Sequence, residues 1–242
     1  MEWRDEGIII GVRSHGETSA IVEMLTAEHG RFLGMVRGGR GRQMRPILQP
    51  GNLVMATWRA RLEDHLGAYQ VEPLSLRAGF ILAHPLRLAG LSTLMALAQL
   101  LPEREPHLKL YQAAHIVMAS FEDDAVWPAL LVRWEMGLLD ELGFGMDLSK
   151  CAATGSIEEL HYVSPRTGRA VSREAGLPYQ DKLFCLPAFL RGEREVLVGD
   201  VLAGLRLTGY FLERHVLGPR AIAMPAARAW LADGLASRAA AA

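Results

Sequence analysis

The sequence predicts an α+β protein of several domains, with a small five-stranded β-barrel at the N-terminus and α-helices after it. Short apolar runs separated by turn residues fill roughly the first 80 residues, and from about residue 85 apolar residues recur at helical spacing. The chain has 242 residues, half of them apolar, and a formal net charge of -1. This composition is typical of a globular protein and excludes a disordered or a strongly basic, histone-like chain.

The barrel prediction rests on five β-rich runs at regular spacing, at residues 7–12, 20–25, 31–37, 52–59 and 67–71. This arrangement favours a small closed barrel over alternating strands and helices. The oligonucleotide/oligosaccharide-binding (OB) barrel is the commonest five-stranded form, and an SH3-like barrel fits nearly as well. We therefore predict an OB-type barrel over residues 1–80.

Three amphipathic helices in a row predict a helical bundle over residues 81–146. Breaks fall at Pro102 and Pro128, because proline favours a helix start over a helix interior. The apolar positions at helical spacing are Leu88, Leu91, Met95 and Ala98, then Leu110, Ala113, Ala114, Val117 and Phe121, and then Leu130, Leu131, Trp134, Leu138 and Leu142.

The helical period is absent from residues 147–194, where a hairpin is predicted around the turn 165–168. It returns over residues 195–242 with a helix that ends near Gly218-Pro219 and an Ala-rich helix over 226–235. We expect these C-terminal helices to pack on the helical domain and the tail 239–242 to be disordered.

Motifs of catalytic sites are absent from the sequence. The Gly-rich stretch 38–42 lacks the Gly-Lys-Ser/Thr of a P-loop and the third glycine of a dinucleotide fingerprint. Neither Gly-x-Ser-x-Gly nor His-Glu-x-x-His occurs, and the eight histidines are scattered. We therefore expect a protein that is not an enzyme.

The N-terminal residues carry charges of both signs and no apolar signal segment, and the most apolar window is too short to span a bilayer. We expect a cytoplasmic protein. In that reducing compartment Cys151 and Cys185 are expected to be free thiols.

Arginine is concentrated in one part of the predicted barrel. Residues 31–61 contain seven arginines and no Asp, Glu or Lys, so this window carries +7, whereas 19 basic and 27 acidic residues elsewhere give -8. A polyanion would meet a local positive field there, and guanidinium groups bind phosphate oxygens bidentately. The alternative is that arginine is the default cation of a chain with three lysines. The candidate DNA-binding residues are Arg13, Arg31, Arg37, Arg40, Arg42, Arg45, Arg59 and Arg61.

Aromatic residues in the same strands are candidates for base stacking. They are Phe32 and Trp58, with Tyr69 nearby in the barrel. The alternative is that these rings fill the interior of the barrel.

Arg133 is a second candidate, because it lies among apolar helix residues and such a cation must reach water or an anionic partner. Internal pairing with Glu135, Asp140 or Glu141 is the expectation. The functional alternative is a groove that receives the acidic, apolar tail of another protein.

Five segments, spread in order over nearly the whole chain, resemble the bacterial DNA repair protein RecO family. They are RSHGETS at 13–19, LTAEHG at 25–30, WEMGLLDELGF at 134–144, CAATG at 151–155 and YFLERHVLG at 210–218. Each segment alone is weak, and together they are specific.

The resemblance implies a recombination mediator of the RecF pathway. Its OB barrel would bind single- and double-stranded DNA and anneal complementary strands at the nucleoid. The resemblance also implies binding to the tail of single-strand binding protein, for which Arg133 is the candidate, and action with RecR to load RecA. Two alternatives stay open: an adaptor that binds only proteins, and an RNA-binding OB protein.

Zinc-binding members of that family carry two Cys-x-x-Cys pairs, which fall on Cys151, Thr154, Ser172 and Ala175 here. Three of the four ligands are therefore missing, and His161 is the one nearby replacement. We expect a degenerate zinc-ribbon-like insertion over 147–194 that binds no zinc or other cofactor. Its packing would centre on Leu160, Tyr162 and Val171.

Overall fold

A computed structural model describes residues 1–62, 64–193 and 195–241. The chain forms two compact units, Met1–Met118 and Ala119–Ala242. The first unit extends well beyond residue 80, so the helices that directly follow the strands belong to the same unit as those strands. Among the described residues, no helix combines the length and the apolar character needed to cross a membrane.

Five strands of the first unit form a closed barrel in the order β1-β2-β3-β5-β4. Neighbouring strands are antiparallel, except that β3 and β5 pair in parallel at Met35 and Ala68. A β-bulge between Ile9 and Gly11 lies within the pairing of β1 with β2, just after the pairing of β1 with β4 ends at Ile8. The strands are β1 (Glu2–His15), β2 (Ser19–Thr26), β3 (Gly30–Val36), β4 (Leu53–Arg59) and β5 (Ala68–Ser75).

The barrel interior is filled by alternate residues of each strand, as strand geometry requires. Ile9, Val22, Val54 and Trp58 belong to this core. Gly67 adopts a φ of +65°, and a Cβ atom there would lie 2.3 Å from the indole of Trp58. A side chain at position 67 would therefore displace the largest ring of the core.

Three helices complete the first unit: α1 (Ala78–Ile81), α2 (Pro85–Ala98) and α3 (Leu108–Ala119). The connection between α2 and α3 lies against the turn between β2 and β3. Arg104 donates its main-chain N–H to the Arg31 carbonyl at 2.8 Å. A Cβ atom on Gly30 would lie 1.7 Å from the Glu105 carbonyl oxygen, so only glycine permits this approach.

The second unit contains α4 (Trp127–Glu141) and a three-stranded sheet. As the sequence predicts, Pro128 lies in the first turn of α4. The sheet has the order β7-β6-β8, in which the hairpin β6 (Leu160–Val163) and β7 (Ala170–Ser172) was predicted. The helix α5 (Arg173–Gly176) and the two-residue strand β8 (Phe184–Cys185) follow the hairpin, and neither is predicted from the sequence.

Two longer helices end the chain, α6 (Val198–Leu212) and α7 (Ala226–Ala241). A π-helical turn, Glu213–Leu217, continues α6 toward the predicted stop at Gly218. The expectation of a disordered tail was wrong for residues 239–241, which extend α7, because alanine has the highest helix propensity. Residue 242 lies outside the described residues.

A buried ion pair joins three helices of the second unit. Arg228 of α7 donates to both carboxylate oxygens of Glu135 of α4, at 2.7 and 2.9 Å. The hydroxyl of Thr208 in α6 donates to the same carboxylate. Glu135 is 0% exposed, so its charge is compensated entirely by these partners.

Candidate nucleic-acid interface

The segment between β3 and β4, residues 37–52, forms a folded loop that we call the basic loop. It contains Arg37, Arg40, Arg42 and Arg45. Turns hold its main chain, since the N–H groups of Met44 and Arg45 both donate to the Gly41 carbonyl at 3.1 Å. The four arginines are therefore displayed on an ordered backbone.

Arg40 attaches the basic loop to the turn between β1 and β2. Its guanidinium donates to the carbonyl oxygens of Gly16 and Glu17 at 2.9 Å each, and its main-chain N–H donates to Thr18 at 3.0 Å. These acceptors are neutral, so the positive charge of Arg40 is not cancelled.

Asn52 fixes the other end of the basic loop. Its side chain is 0% exposed and donates to the carbonyl oxygens of Pro46 and Ile47 at 2.9 Å each. Its own side-chain oxygen accepts a hydrogen bond from the main-chain N–H of Ala78 at 3.1 Å. A loop held in this way loses little conformational entropy when a ligand binds.

Exposure and ion pairing separate the candidate arginines into groups. Arg37, Arg42 and Arg45 are exposed, as is Arg13 near the end of β1. None of these four makes an ion pair with a carboxylate of the described residues. Together with Arg40, they leave five uncompensated positive charges on the barrel and its basic loop.

Arg31 and Arg59 have carboxylate partners. Arg31 is paired with Glu23 and, at 3.3 Å, with Glu103, and its side chain is only 17% exposed. Arg59 donates to Glu2 at 2.7 Å, a hydrogen bond that lowers the pKa of that carboxyl group. Both arginines are therefore less available to phosphate than those of the basic loop. Arg61 is exposed, but it lies beyond β4 and outside the basic loop.

The aromatic candidates occupy the barrel interior. Phe32 is 5% exposed and Trp58 is 1% exposed. Trp58 donates its indole N–H to the Leu66 carbonyl at 3.0 Å, and Tyr69 donates its hydroxyl to the Phe32 carbonyl at 3.2 Å. Burial raises the pKa of Tyr69 well above its ordinary value. Of the two interpretations that the sequence left open, the structure favours core packing, because Phe32 and Trp58 are almost completely buried among the other core side chains of the barrel.

Sequence reasoning missed two rings that do reach the surface, Trp3 and His29. Trp3 is half-buried and pairs with Trp58 across β1 and β4. The predicted first strand began at residue 7, so Trp3 fell outside it. Four of the five residues from Glu2 to Glu6 are charged, so the apolar run that predicts the strand begins only at residue 7.

Arg133 lies in α4 and binds the main chain of the segment that precedes α6. It donates to the Phe189 carbonyl at 2.6 Å and lies 5.9 Å from the centre of the Phe189 ring. The expected pairing with Glu135 was wrong, because that carboxylate is buried with Arg228. Residues two apart on a helix point in different directions, which prevents the pairing.

Of the four positions that match the zinc ligands of other family members, Cys151 and Ser172 are in contact. The thiol of Cys151 accepts a hydrogen bond from the Ser172 N–H at 3.2 Å. Burial opposes ionisation, but hydrogen bonds from Ser172 and Thr154 lower the pKa of Cys151 from 9.0 to about 6. No group of three His, Cys, Asp or Glu side chains in the described ranges is placed to hold a metal ion. One thiol with hydroxyl neighbours does not fit the four N or S donors of structural zinc.

Comparison with known proteins identifies the family. The model of the N-terminal part of recombination protein O matches residues 1–77, and the model of its C-terminal part matches residues 83–221. The chain belongs to the RecO family. This confirms the resemblance seen in the five sequence segments, and the boundary between the two RecO models falls just after β5.

Relatives named DNA repair protein RecO match nearly the whole chain. The protein of Methylorubrum extorquens (strain PA1) is 54% identical over 236 residues, which are 95% of this chain and 96% of the relative. That of Rhodopseudomonas palustris (strain TIE-1) is 55% identical over 234 residues, 95% and 94% of the two chains. That of Methylobacterium nodulans is 53% identical over 234 residues, 94% and 95% of the two chains. RecO membership supports a role in DNA repair and recombination.

Proposed function

We propose that this protein is a recombination mediator, not an enzyme, that binds single- and double-stranded DNA through the basic loop. One observation carries the proposal: four exposed arginines lie on a folded loop and, among the described residues, have no carboxylate partners. The barrel that carries this loop is proposed to be of the OB type, a form that binds oligonucleotides.

Strand annealing follows from the same charges. Two single strands repel each other through their phosphates, and a surface that neutralises both strands lets complementary bases pair. Arginine contacts with phosphate carry no sequence information. The protein is therefore proposed to anneal strands of any sequence at the nucleoid, in the cytoplasm.

The partner proteins are proposed on the basis of RecO membership and of Arg133. Arg133 is an exposed cation among apolar residues of α4, which suits the acidic, apolar tail of single-strand binding protein. With RecR, the protein is proposed to help load RecA onto gaps that this binding protein covers.

The sheet of the second unit is proposed to be stable without zinc or any other cofactor. Buried Leu160, Tyr162 and Val171 support it by packing, and the hydrogen bond from Ser172 to Cys151 replaces a metal ligand bond. Metal analysis of the purified protein tests this: one zinc per chain that resists chelation would contradict it.

Fluorescence anisotropy with single-stranded DNA, duplex DNA and RNA at two salt concentrations tests the function. Four arginine contacts to a single strand predict a log–log salt slope of about -3. The variant Arg42→Ala/Arg45→Ala removes two of these charges and should reduce the slope to about -1.5. A matched control, Arg166→Ala/Lys182→Ala, removes two exposed charges of the second unit and should leave the slope unchanged.

Each outcome separates the alternatives. Absence of DNA affinity at moderate salt would indicate an adaptor that binds only proteins. Stronger binding to RNA than to DNA would indicate an RNA-binding OB protein. Equal loss of affinity in the double variant and the control would place the DNA elsewhere than on the basic loop.

A further inference from the structure

An aromatic groove opens at the end of the barrel where β1 begins. It has a volume of about 410 Å³, and its ring-bearing walls are Trp3, His29, Phe32 and Trp58, with Arg104 beside them. His29 immediately precedes β3, and the basic loop immediately follows β3. The groove and the basic loop are thus at opposite ends of one strand, about 20 Å apart by strand geometry.

The rings of the groove form a stacked series that runs from the core to the surface. Trp3 is stacked on Trp58 with ring centres 5.8 Å apart, and on His29 with ring centres 4.2 Å apart and an interplanar angle of 11°. Trp58 is 1% exposed, whereas Trp3 is half-buried and the His29 side chain is 28% exposed. The imidazole of His29 is therefore the outermost ring of the series.

Hydrogen bonds fix the orientation of His29. The buried carboxylate of Asp5 lies 3.1 Å from Nδ1 of the imidazole and accepts the main-chain N–H of Glu28 at 2.9 Å. The main-chain N–H of His29 donates to the Thr26 hydroxyl at 3.1 Å. The ring is thus held in place before any ligand arrives, which lowers the entropic cost of stacking on it.

The charges of the groove favour a nucleic acid over an apolar ligand. The Arg104 guanidinium lies 4.9 Å from the centre of the Phe32 ring and donates to the His65 carbonyl at 3.2 Å. The charge of Glu2 is compensated by Arg59, which leaves Glu28 as the exposed carboxylate of the rim. A flat ring beside a cation is the combination on which unpaired bases stack in single-strand binding sites.

We propose that the aromatic groove binds one unpaired nucleobase, which stacks on the imidazole of His29 and extends the series His29, Trp3, Trp58. The proposal rests on the DNA-binding function proposed above and adds a preference for single strands. In a duplex the bases are already stacked and paired, so only an unpaired base reaches the ring. The basic loop supplies affinity for any phosphate backbone, and the groove distinguishes single strands from duplexes.

The experiment compares an oligo(dT) strand with an abasic strand of the same length, which keeps the phosphates and lacks the bases. Four full-length proteins are titrated with both strands at one salt concentration: wild type, His29→Ala, His29→Phe and the control His84→Ala, which changes an exposed histidine outside the barrel strands. We expect His29→Ala to bind oligo(dT) about 5- to 20-fold more weakly, within the range for loss of one stacked base, and to bind the abasic strand as wild type does. His29→Phe keeps a ring without the Asp5 contact and should recover most of the oligo(dT) affinity.

Three results would overturn the proposal. Unchanged oligo(dT) binding by His29→Ala, with wild-type binding intact and salt-dependent, would remove the nucleobase site and leave the function of the basic loop standing. Equal weakening by the Ala and Phe variants on both strands would assign His29 a structural role through Asp5. Absence of wild-type binding to either strand would refute the proposed function and the nucleobase site together.

Discussion

The basic loop of the first unit and the helix contact of the second unit use arginine in opposite ways. Arg37, Arg42 and Arg45 are exposed and have no carboxylate partner among the described residues. Arg228 is 7% exposed and is bonded to Glu135 and Thr208. An exposed charge contributes little to folding stability and is available to a ligand, whereas a buried charge must be compensated within the fold.

The largest expected effect concerns the buried pair. Glu135→Ala leaves the Arg228 charge buried without its partner, and we expect the free energy of unfolding to fall by about 3–5 kcal/mol. Urea denaturation followed by circular dichroism measures this. The double variant Glu135→Leu/Arg228→Met removes both charges and should recover most of the loss. If the free energy of unfolding of Glu135→Ala fell by less than about 1 kcal/mol, the buried Arg228 would not depend on a carboxylate partner, and the contrast with the basic loop would fail.

The basic loop should respond in the reverse manner. Arg37→Ala/Arg42→Ala/Arg45→Ala removes three counterion-releasing contacts, each contributing about 0.7 log units at 0.1 M salt, so affinity for a single strand should fall about 100-fold. The free energy of unfolding should change by less than about 0.5 kcal/mol, because none of these side chains has an ion-pair partner among the described residues. Anisotropy and urea denaturation on the same samples check both values. A strongly destabilised variant would show that the loop charges also support the fold.

Substitution of Arg133 tests whether an arginine of the second unit also binds a ligand. Arg133→Ala removes the guanidinium beside Phe189, and we expect binding of a tail peptide from single-strand binding protein to weaken about 10-fold, the value of one charge-assisted hydrogen bond. Isothermal titration calorimetry measures the affinity, and Arg206→Ala, an exposed arginine of α6, is the matched control. Unchanged peptide affinity would confine ligand-binding arginines to the first unit.

The smallest effect is a pH dependence at Cys151. The pKa of this thiol is about 6 in the folded protein, against an ordinary value of 9.0. Its contribution to stability is complete above pH 9.0, and it is lost as the pH falls through about 6. From pH 6.5 to 7.5 the unfolding free energy of wild type should rise relative to Cys151→Ala by at most about 1.4 kcal/mol. Cys185→Ala should follow wild type, and a flat difference for Cys151→Ala would indicate a protonated thiol.

The strands and long helices were predictable because their signals are local. All five barrel strands and the helices α2, α3, α4 and α6 overlap the predicted runs, since periodicity reports which face of an element is buried. The first five residues of β1 were missed because they are mostly charged. Their strand conformation depends on pairing with β4, as in Glu2 with Arg59, and that partner is more than 50 residues away.

The arginines of the candidate site were predictable from the sequence, but their carboxylate partners were not. Clustering of arginine in one window indicated a phosphate-binding surface, and the structure places four of those residues on one loop. The structure also excludes Arg31 from this surface, because Arg31 is paired with Glu103, which lies 72 residues away in the chain. Burial of Phe32 and Trp58 depends likewise on closure of the barrel, which no local pattern reports.

The side chain of Asn52 links the basic loop to a main-chain N–H group outside the loop. Because its amide group bonds both to the loop and to the Ala78 N–H, order in the loop and protection of that N–H are coupled. A DNA strand bound to the loop should oppose its local opening and thereby slow deuterium exchange at Ala78, a residue that lies beyond the barrel strands. Deuterium exchange at the first turn of α1 would therefore report DNA binding to the basic loop without a label on the DNA.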